Sequence, residues 1–284
     1  MHISSVEDTQ FNYNQIKING ILMDLSIPKI MGILNVTEDS FFEDSRLKSD
    51  KALIDKTNQY LSEGAEILDL GGFSTRPNAK LVDEKVELIR VKSALRTLKN
   101  NFPNAIVSVD TFRASVAQMA IDEGVSIIND ISGFQFDKEL LNVLSKNNIP
   151  YILMHVEGTF ESMHSQSLGG NILAKVSDYF TQKISILKES GVEQVILDPG
   201  FGFSKTIEEN YELLHRLDAF KVFQKPILVG VSRKSMIYKK LEITPEESLN
   251  GTTVLNTLAI LKGAGIIRVH DVKACKEIID LIAK

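Results

Sequence analysis

The sequence predicts an α/β chain closed into a (β/α)8 TIM barrel with a short N-terminal β-hairpin. Three observations carry that prediction. From Pro28 onward, short aliphatic runs alternate with amphipathic segments of helical length, eight pairs in all. The aliphatic runs lack polar alternation, as strands covered on both faces do. The chain has 284 residues, long for an average domain and normal for one such barrel. An open doubly wound sheet is the alternative. It would more often carry a glycine-rich phosphate loop after its first strand, and Ile33–Thr37 has none.

Residues Met1–Gln10 read as a loose tail. In Gln15–Ser26, Asn19-Gly20 separates two apolar runs, a hairpin signal, and the hairpin could plug one end of the barrel. This divides the chain into a tail and hairpin at 1–27 and a barrel at 28–284. The expected strands are Ile30–Leu34, Ala65–Leu70, Ile106–Val109, Ser126–Asn129, Tyr151–Met154, Val195–Leu197, Ile227–Val231 and Ile266–Val269. Helices are expected near Lys51–Glu63, Asp83–Lys99, Ala114–Glu123, Lys138–Lys146, Ile172–Ser190, Ile207–Ala219, Pro245–Lys262 and Lys273–Ala283. Val272, Cys275, Ile278, Ile279 and Ile282 form a helical stripe, and Val82, Val86, Ile89 and Leu98 mark another. Gly64, Gly124, Gly191 and Gly265 sit where helices should close before the next strand. Long polar loops, Asn35–Ser49 and Gly71–Leu81, follow the first two strands, where substrates are commonly covered.

Composition narrows the function classes. Hydrophobic residues make up 43 %, enough for a large core, and the net charge is −5, so no general basic field invites nucleic acid. Cys275 is the only cysteine, which rules out an intrachain disulfide and suits a reducing compartment. The first residues lack an apolar signal core, and no apolar run approaches membrane-spanning length. The expectation is a soluble cytoplasmic protein. No His/Cys/Glu spacing resembles a zinc site, and there is no nucleophile elbow.

In a barrel, chemistry collects where the strands end. Those ends carry Asn35, Thr75 and Arg76, Asp110, Asn129 and Asp130, His155, Asp198, Arg233 and Lys234, and Arg268, His270 and Asp271. Carboxylates and an amide suit a flat heterocycle with several N–H donors. Arg and His beside an Asn suit phosphate oxygens, with or without Mg²⁺. Bland readings stand beside these. Asp198 could be only the turn residue before Pro199-Gly200, and Asp110 could cap the helix beginning near Arg113. Asn129 could be a buried turn amide. His155 has no obvious partner and suits packing near the rim. His164 and His215 read as solvent-facing, and Arg90 and Arg96 as a solvated face.

Seven stretches appear in an order that resembles the dihydropteroate synthase family of folate biosynthesis. They are MGILNVTEDSF (31–41), GGFSTRPNA (71–79), VSVDT (107–111), IND (128–130), LDPGFGFSK (197–205), GVSRKS (230–235) and RVHDV (268–272). The resemblance runs from about Pro28 to the C-terminus. It implies a barrel, usually a homodimer, that joins 4-aminobenzoate to a dihydropterin hydroxymethyl diphosphate and releases pyrophosphate. By position, Asp198 would pair with the pyrimidine edge of the pterin, Asn129 with the neighbouring amino and ring nitrogens, and Asp110 with the dihydropyrazine N–H. Lys234 would reach the acceptor side, and Met154 would belong to the apolar wall of the slot. Arg268, His270 and Asn35 would bind the diphosphate, Asn35 also through Mg²⁺. Thr75, Arg76 and Pro77 would close over the reacting centre. Phe41, Phe203 and Ser235, with Thr75 and Pro77, would receive the aminobenzoate, and so its sulfonamide mimics.

The sequence departs from the family pattern at Glu38, at Glu43-Asp44-Ser45, at Asn78 and at Ser204, none of them a pterin contact implied above. Two other readings compete. A pterin-dependent methyltransferase would share Asp110, Asn129 and Asp198 but has no need of the RVHD and STRP segments. A non-catalytic pterin-binding subunit would be expected to lack Arg76, Lys234 or His270, all of which are intact.

Overall fold

A computed structural model describes residues 14–36, 43–73, 81–164 and 169–282. Phe41, Thr75, Arg76 and Pro77, with the departures at Glu38 and Asn78, lie outside the described residues. Strands β1 (Gln15–Ile18) and β2 (Ile21–Asp24) pair antiparallel through Asn19 and Gly20, both at positive φ, which matches the twist of a two-residue hairpin. The barrel follows as β3 (Lys29–Asn35), α1 (Glu43–Ser62), β4 (Ile67–Gly71), α2 (Glu84–Asn101), β5 (Ile106–Asp110), α3 (Ala114–Asp122), β6 (Ile127–Asp130) and α4 (Glu139–Asn147). It continues as β7 (Tyr151–Met154), α5 (Ile172–Glu189), β8 (Val195–Asp198), α6 (Ile207–His215), β9 (Leu228–Val229), α7 (Ser235–Leu241), α8 (Leu249–Leu261), β10 (Ile266–Val269) and α9 (Val272–Ile282).

Eight parallel strands lie in the order β8-β7-β6-β5-β4-β3-β10-β9. A parallel bridge between Leu197 and Ile227 joins the two ends and completes the barrel. The hairpin lies against the end where the strands begin. Ile16, Ile18 and Leu25 pack there with Met31, Ile67, Ile127, Ile152, Ile196, Leu228 and Ile266 in one apolar cluster. A larger cluster fills the layer between strands and helices.

Several boundaries differ from expectation, with physical reasons. Helix α1 starts at Glu43, so Glu43-Asp44-Ser45 is a helical turn and the loop after β3 is shorter than expected. The segment Ile207–Ala219 breaks at Arg216, and Leu217–Phe223 winds as a 3₁₀ helix that buries Leu217 and Phe220, three apart as that helix repeats. Pro245–Lys262 splits into a 3₁₀ turn, Glu246–Ser248, and α8. Helix α8 closes on Gly263 at φ +100°, whereas Gly265 lies against Leu25 of the floor. On α2 the buried stripe is Glu87, Arg90, Val91, Ala94, Leu95 and Leu98, while Ile89 is exposed. Arg90 is thus buried, not part of a solvated face, because Glu87 and its partners draw this stripe of α2 onto the barrel. Glu87 accepts from the Thr111 hydroxyl at 2.7 Å and pairs with Arg113.

Candidate active site

The ladders run to the polar strand ends and fix them. Asn35 pairs in register with Gly71, Gly71 with Asp110, Asp110 with Asn129, and Met154 with Asp198. These residues end their strands, except Asn129, which comes one before the last residue of β6, so backbone hydrogen bonds hold the side chains at one mouth of the barrel.

Inside that mouth, Arg268 is the hub. Its Nε donates to Asp69 Oδ2 at 2.7 Å, and a terminal nitrogen donates to Asp110 Oδ2 at 2.9 Å. The Asn129 amide donates to the same Asp69 oxygen at 3.0 Å. Asp69, Asp110 and Asn129 are all buried. The second oxygens of Asp69 and Asp110 are buried with no hydrogen-bond partner among the described residues. A buried acceptor left unpaired costs free energy unless a ligand donates to it. These two oxygens therefore mark a place for N–H donors. Burial pushes the Asp110 carboxyl up to about 7; Arg268 opposes the rise and the Asp69 charge adds to it.

Across the mouth, Asp198 and Lys234 form a second centre. One Asp198 oxygen accepts the Gly200 amide at 2.8 Å, so the turn reading of this residue holds for that oxygen. Burial raises the Asp198 carboxyl, and Lys234 opposes this. Burial lowers the Lys234 ammonium to about 8, against the pull of Asp198. Lys234 Nζ donates to the Phe201 carbonyl and sits 4.6 Å from the centre of the Phe203 ring. Phe203 and Met154 share one apolar cluster with Phe73, Phe112, Ile131, Val156 and Met163. The capping reading of Asp110 does not hold, because the first amide of α3 donates to Asp137 at 2.8 Å instead. Asn129 lies in a strand, not a turn.

His270 stands at the rim. Its Nδ1 is 3.1 Å from the Ser232 hydroxyl, and its carbonyl accepts from Tyr60 at 2.9 Å. Asn35 is exposed at the end of β3, and a Cβ added at Gly71 would lie 3.1 Å from its Oδ1. Arg233 is taken up by Asp271 in a two-pronged pair at 2.9 and 2.6 Å. Ser235 opens α7. His215 is exposed, as expected. His164 is not solvent-facing: its ring stacks on Phe203, with centroids 5.0 Å apart. His155 has a partner after all, Lys205, 3.0 Å from its Nδ1.

Sequence reasoning passed over Asp69, Ser232 and Lys205. Asp69 had a signal, since a carboxylate in the middle of the aliphatic run ILDL is costly unless paired. Ser232 and Lys205 lay inside GVSRKS and GFGFSK, where their neighbours drew the attention.

A barrel mouth that gathers buried acceptors, two half-buried lysines and an arginine suits a nitrogen heterocycle. The comparisons agree. The pterin binding enzyme family matches residues 31–270, and the chain belongs to that family. Within it, the chain falls among the dihydropteroate synthases. The dihydropteroate synthase of Synechocystis sp. is 40 % identical over 252 residues, covering 88 % of this chain and 87 % of its own. That of Escherichia coli K12 is 39 % identical over 260 residues, covering 91 % and 92 %. The Yersinia pestis dihydropteroate synthase, solved with a sulfonamide drug, superposes with a TM-score of 0.87 at 35 % identity, covering 94 % of this chain and 97 % of its own. The Xanthomonas albilineans enzyme, solved with 4-aminobenzoic acid, gives 0.86 at 30 % identity, covering 95 % and 97 %.

Proposed function

We infer that this chain condenses 4-aminobenzoate with (7,8-dihydropterin-6-yl)methyl diphosphate to give 7,8-dihydropteroate and diphosphate. The C–O bond from the methylene to the diphosphate breaks, and its electron pair leaves with the diphosphate. The aromatic amine forms the new C–N bond and loses a proton to solvent. The observation that carries this reading is the pair of unpartnered buried oxygens on Asp69 and Asp110, opposite Asp198 and Lys234. Such a set accepts N–H donors on one side and offers a donor on the other. Asp198 and Asn129 hold the pyrimidine edge of the pterin, Lys234 its acceptor side, and Met154 its face. Asp110 beside a ring N–H stabilises the positive charge that grows as diphosphate leaves, more than it does the neutral substrate. The diphosphate is received by His270, Arg76, Thr75 and the remaining N–H groups of Arg268. Phe41, Pro77, Phe203, Thr75 and Ser235 receive the aminobenzoate.

Among the described residues no group of three or more His, Cys, Asp or Glu is arranged to hold a metal. That arrangement fits Mg²⁺ only as an ion carried largely by diphosphate and water, with Asn35 as the protein ligand. Bound there, Mg²⁺ would neutralise charge on the leaving diphosphate. We also propose a homodimer; exposed Val254 and Leu261, seven residues apart on α8, support a self-association face, and sedimentation would test it. No helix among the described residues is long and apolar enough to cross a membrane. A cytoplasmic location remains part of the proposal, supported by the single, buried thiol of Cys275. The purified protein should release pyrophosphate from the pterin diphosphate only when aminobenzoate is added. Sulfonamides should compete with aminobenzoate and not with the pterin. Release without the amine, with no dihydropteroate formed, would overturn the assignment.

A further inference from the structure

Two lysines reach the Asp198 turn, and they are used differently. Lys234 Nζ meets the Phe201 carbonyl and the face of Phe203. Lys205 Nζ meets three acceptors: the Gly200 carbonyl at 2.9 Å, the Phe203 carbonyl at 3.0 Å and His155 Nδ1 at 3.0 Å. An ammonium has three N–H donors, so Lys205 has none left for a substrate. The mechanism above makes no use of it.

What Lys205 holds is the turn itself. Asp198 ends β8, and its carbonyl accepts the His155 amide at 2.9 Å. Gly200 lies at φ +71°, and a Cβ there would fall 2.0 Å from the His155 carbonyl, so the turn is pressed against β7. Lys205 reaches back over this contact and ties the Gly200 carbonyl, which also accepts the Phe203 amide at 3.2 Å, and the Phe203 carbonyl to the His155 ring. For His155 Nδ1 to accept, the imidazole must be neutral with its proton on Nε2. Burial, and then the neighbouring ammonium, hold His155 well below its usual range, in keeping with that state.

We propose that Lys205 is a positioning residue for the condensation. Through His155 and the carbonyls of Gly200 and Phe203, it fixes the Asp198 carboxylate and the Phe203 ring in their working places. The proposal rests on the reading of Asp198 as a pterin contact. Lys205→Met removes the donors at nearly constant length. Its affinity for a pterin analogue, measured by calorimetry well below its melting temperature, should fall at least ~10-fold. A purely structural lysine would lower the melting temperature and leave the folded protein's affinity unchanged, and that result would overturn the proposal. Where Lys205→Met does not fold, the double variant His155→Leu/Lys205→Met removes both polar partners together, which buried sites tolerate better. It should lose the same affinity, and wild-type affinity would count against the proposal. His155→Asn, which keeps an acceptor near the Nδ1 position, should bind better than His155→Leu; equal affinities would contradict the role of the ring. On the unaltered protein, ¹⁵N resonances of His155 should show a bare Nδ1; a protonated Nδ1 would make His155 the donor to the Lys205 amine and overturn the role of Lys205 in holding the ring. Asp198→Asn separates the two readings. If it binds the analogue normally, the pterin assignment of the turn fails. If it binds weakly while Lys205→Met binds normally, only the positioning role fails.

Discussion

The two ends of this barrel are built from the same strands and have opposite interiors. Side chains two residues apart on a strand face the same way. At the floor, Ile67, Ile127, Ile196 and Ile266 join the hairpin in an apolar cluster. Two residues onward, the same strands present Asp69, Asn129, Asp198 and Arg268. The floor can be assembled from burial alone, which is non-directional and tolerant of shape. The mouth is buried too, yet its groups are polar and only partly satisfied. A barrel thus separates the work of its two ends by a single step along each strand.

The largest effect that tests this contrast is expected at Asp110. Asp110→Asn leaves the side chain's shape and removes the charge that faces the developing cation. Turnover should fall by ~10²–10³, the scale seen when one preorganised electrostatic group is lost. The melting temperature should change little. At the floor the pattern reverses. Ile18→Ala should lower stability by ~2–4 kcal/mol, as for other large-to-small core changes, with kcat/KM altered less than ~2-fold. Denaturant unfolding and steady-state kinetics on the two variants read both quantities. A floor variant that lost turnover while fully folded would break the division between the ends.

The floor and the strand order were legible in the sequence because both rest on periodicity. Tyr151–Met154 and Ile266–Val269 stand as the aliphatic runs suggested, and Asn19-Gly20 makes the turn that its residue types require. Strand-end residues such as Asp110 and Asp198 were also legible, since a carboxylate after an aliphatic run stands out. What was not legible depends on contacts distant in sequence. Asp69 matters because Arg268, 199 residues away, reaches it. His155 looked unpartnered because Lys205 is 50 residues on, and Arg90 looked exposed because its helix face is set by Glu87 and Arg113. The break of α6 at Arg216 lies inside an unbroken apolar pattern, which does not distinguish a 3.6-residue from a three-residue repeat over so few turns.

A second test uses pH, because the mouth titrates and the floor does not. Asp110 must be ionised to face the cation, and Lys234 must be protonated to donate to the pterin. The Asp110 carboxyl lies near about 7 and the Lys234 ammonium near about 8, so kcat/KM should be bell-shaped with limbs in that region. The stability signs are opposite to those of activity. A carboxyl raised above its ordinary 3.8 contributes stability fully present below that value and lost as pH rises through about 7. An ammonium lowered from 10.5 contributes stability present above that value and lost as pH falls through about 8. Between the limbs both groups are charged, so the empty mouth is least favourable where the enzyme is most active. A pterin analogue should therefore raise the melting temperature most in that window. Asp69→Asn removes a charge that raises Asp110, so the acid limb should move to lower pH. An acid limb that stayed in place would assign it to another group.

The smallest expected effect lies at Ser204, in the turn after β8. Ser204 is buried at φ +50°, a left-handed conformation that costs a residue with a Cβ roughly 1 kcal/mol or more relative to glycine. Its hydroxyl offsets this. It donates to the Glu157 carbonyl at 2.7 Å and accepts the Glu157 amide at 3.0 Å, stitching the Asp198 turn to the loop after β7. Ser204→Gly relieves the backbone and loses the stitches, so the two changes nearly cancel, since each such bond contributes about 0.5–1.5 kcal/mol net. Ser204→Ala keeps the strained Cβ and loses the same bonds. The alanine variant should therefore be less stable than the glycine variant by about 1 kcal/mol, a difference that thermal unfolding resolves. Both should bind a pterin analogue within ~3-fold of the parent, because Lys205 still ties the carbonyls that precede position 204, and 3-fold corresponds to well under ~1.4 kcal/mol. An alanine variant as stable as the glycine variant would mean that the left-handed backbone at Ser204 carries no cost, and that the hydroxyl is not there to offset one.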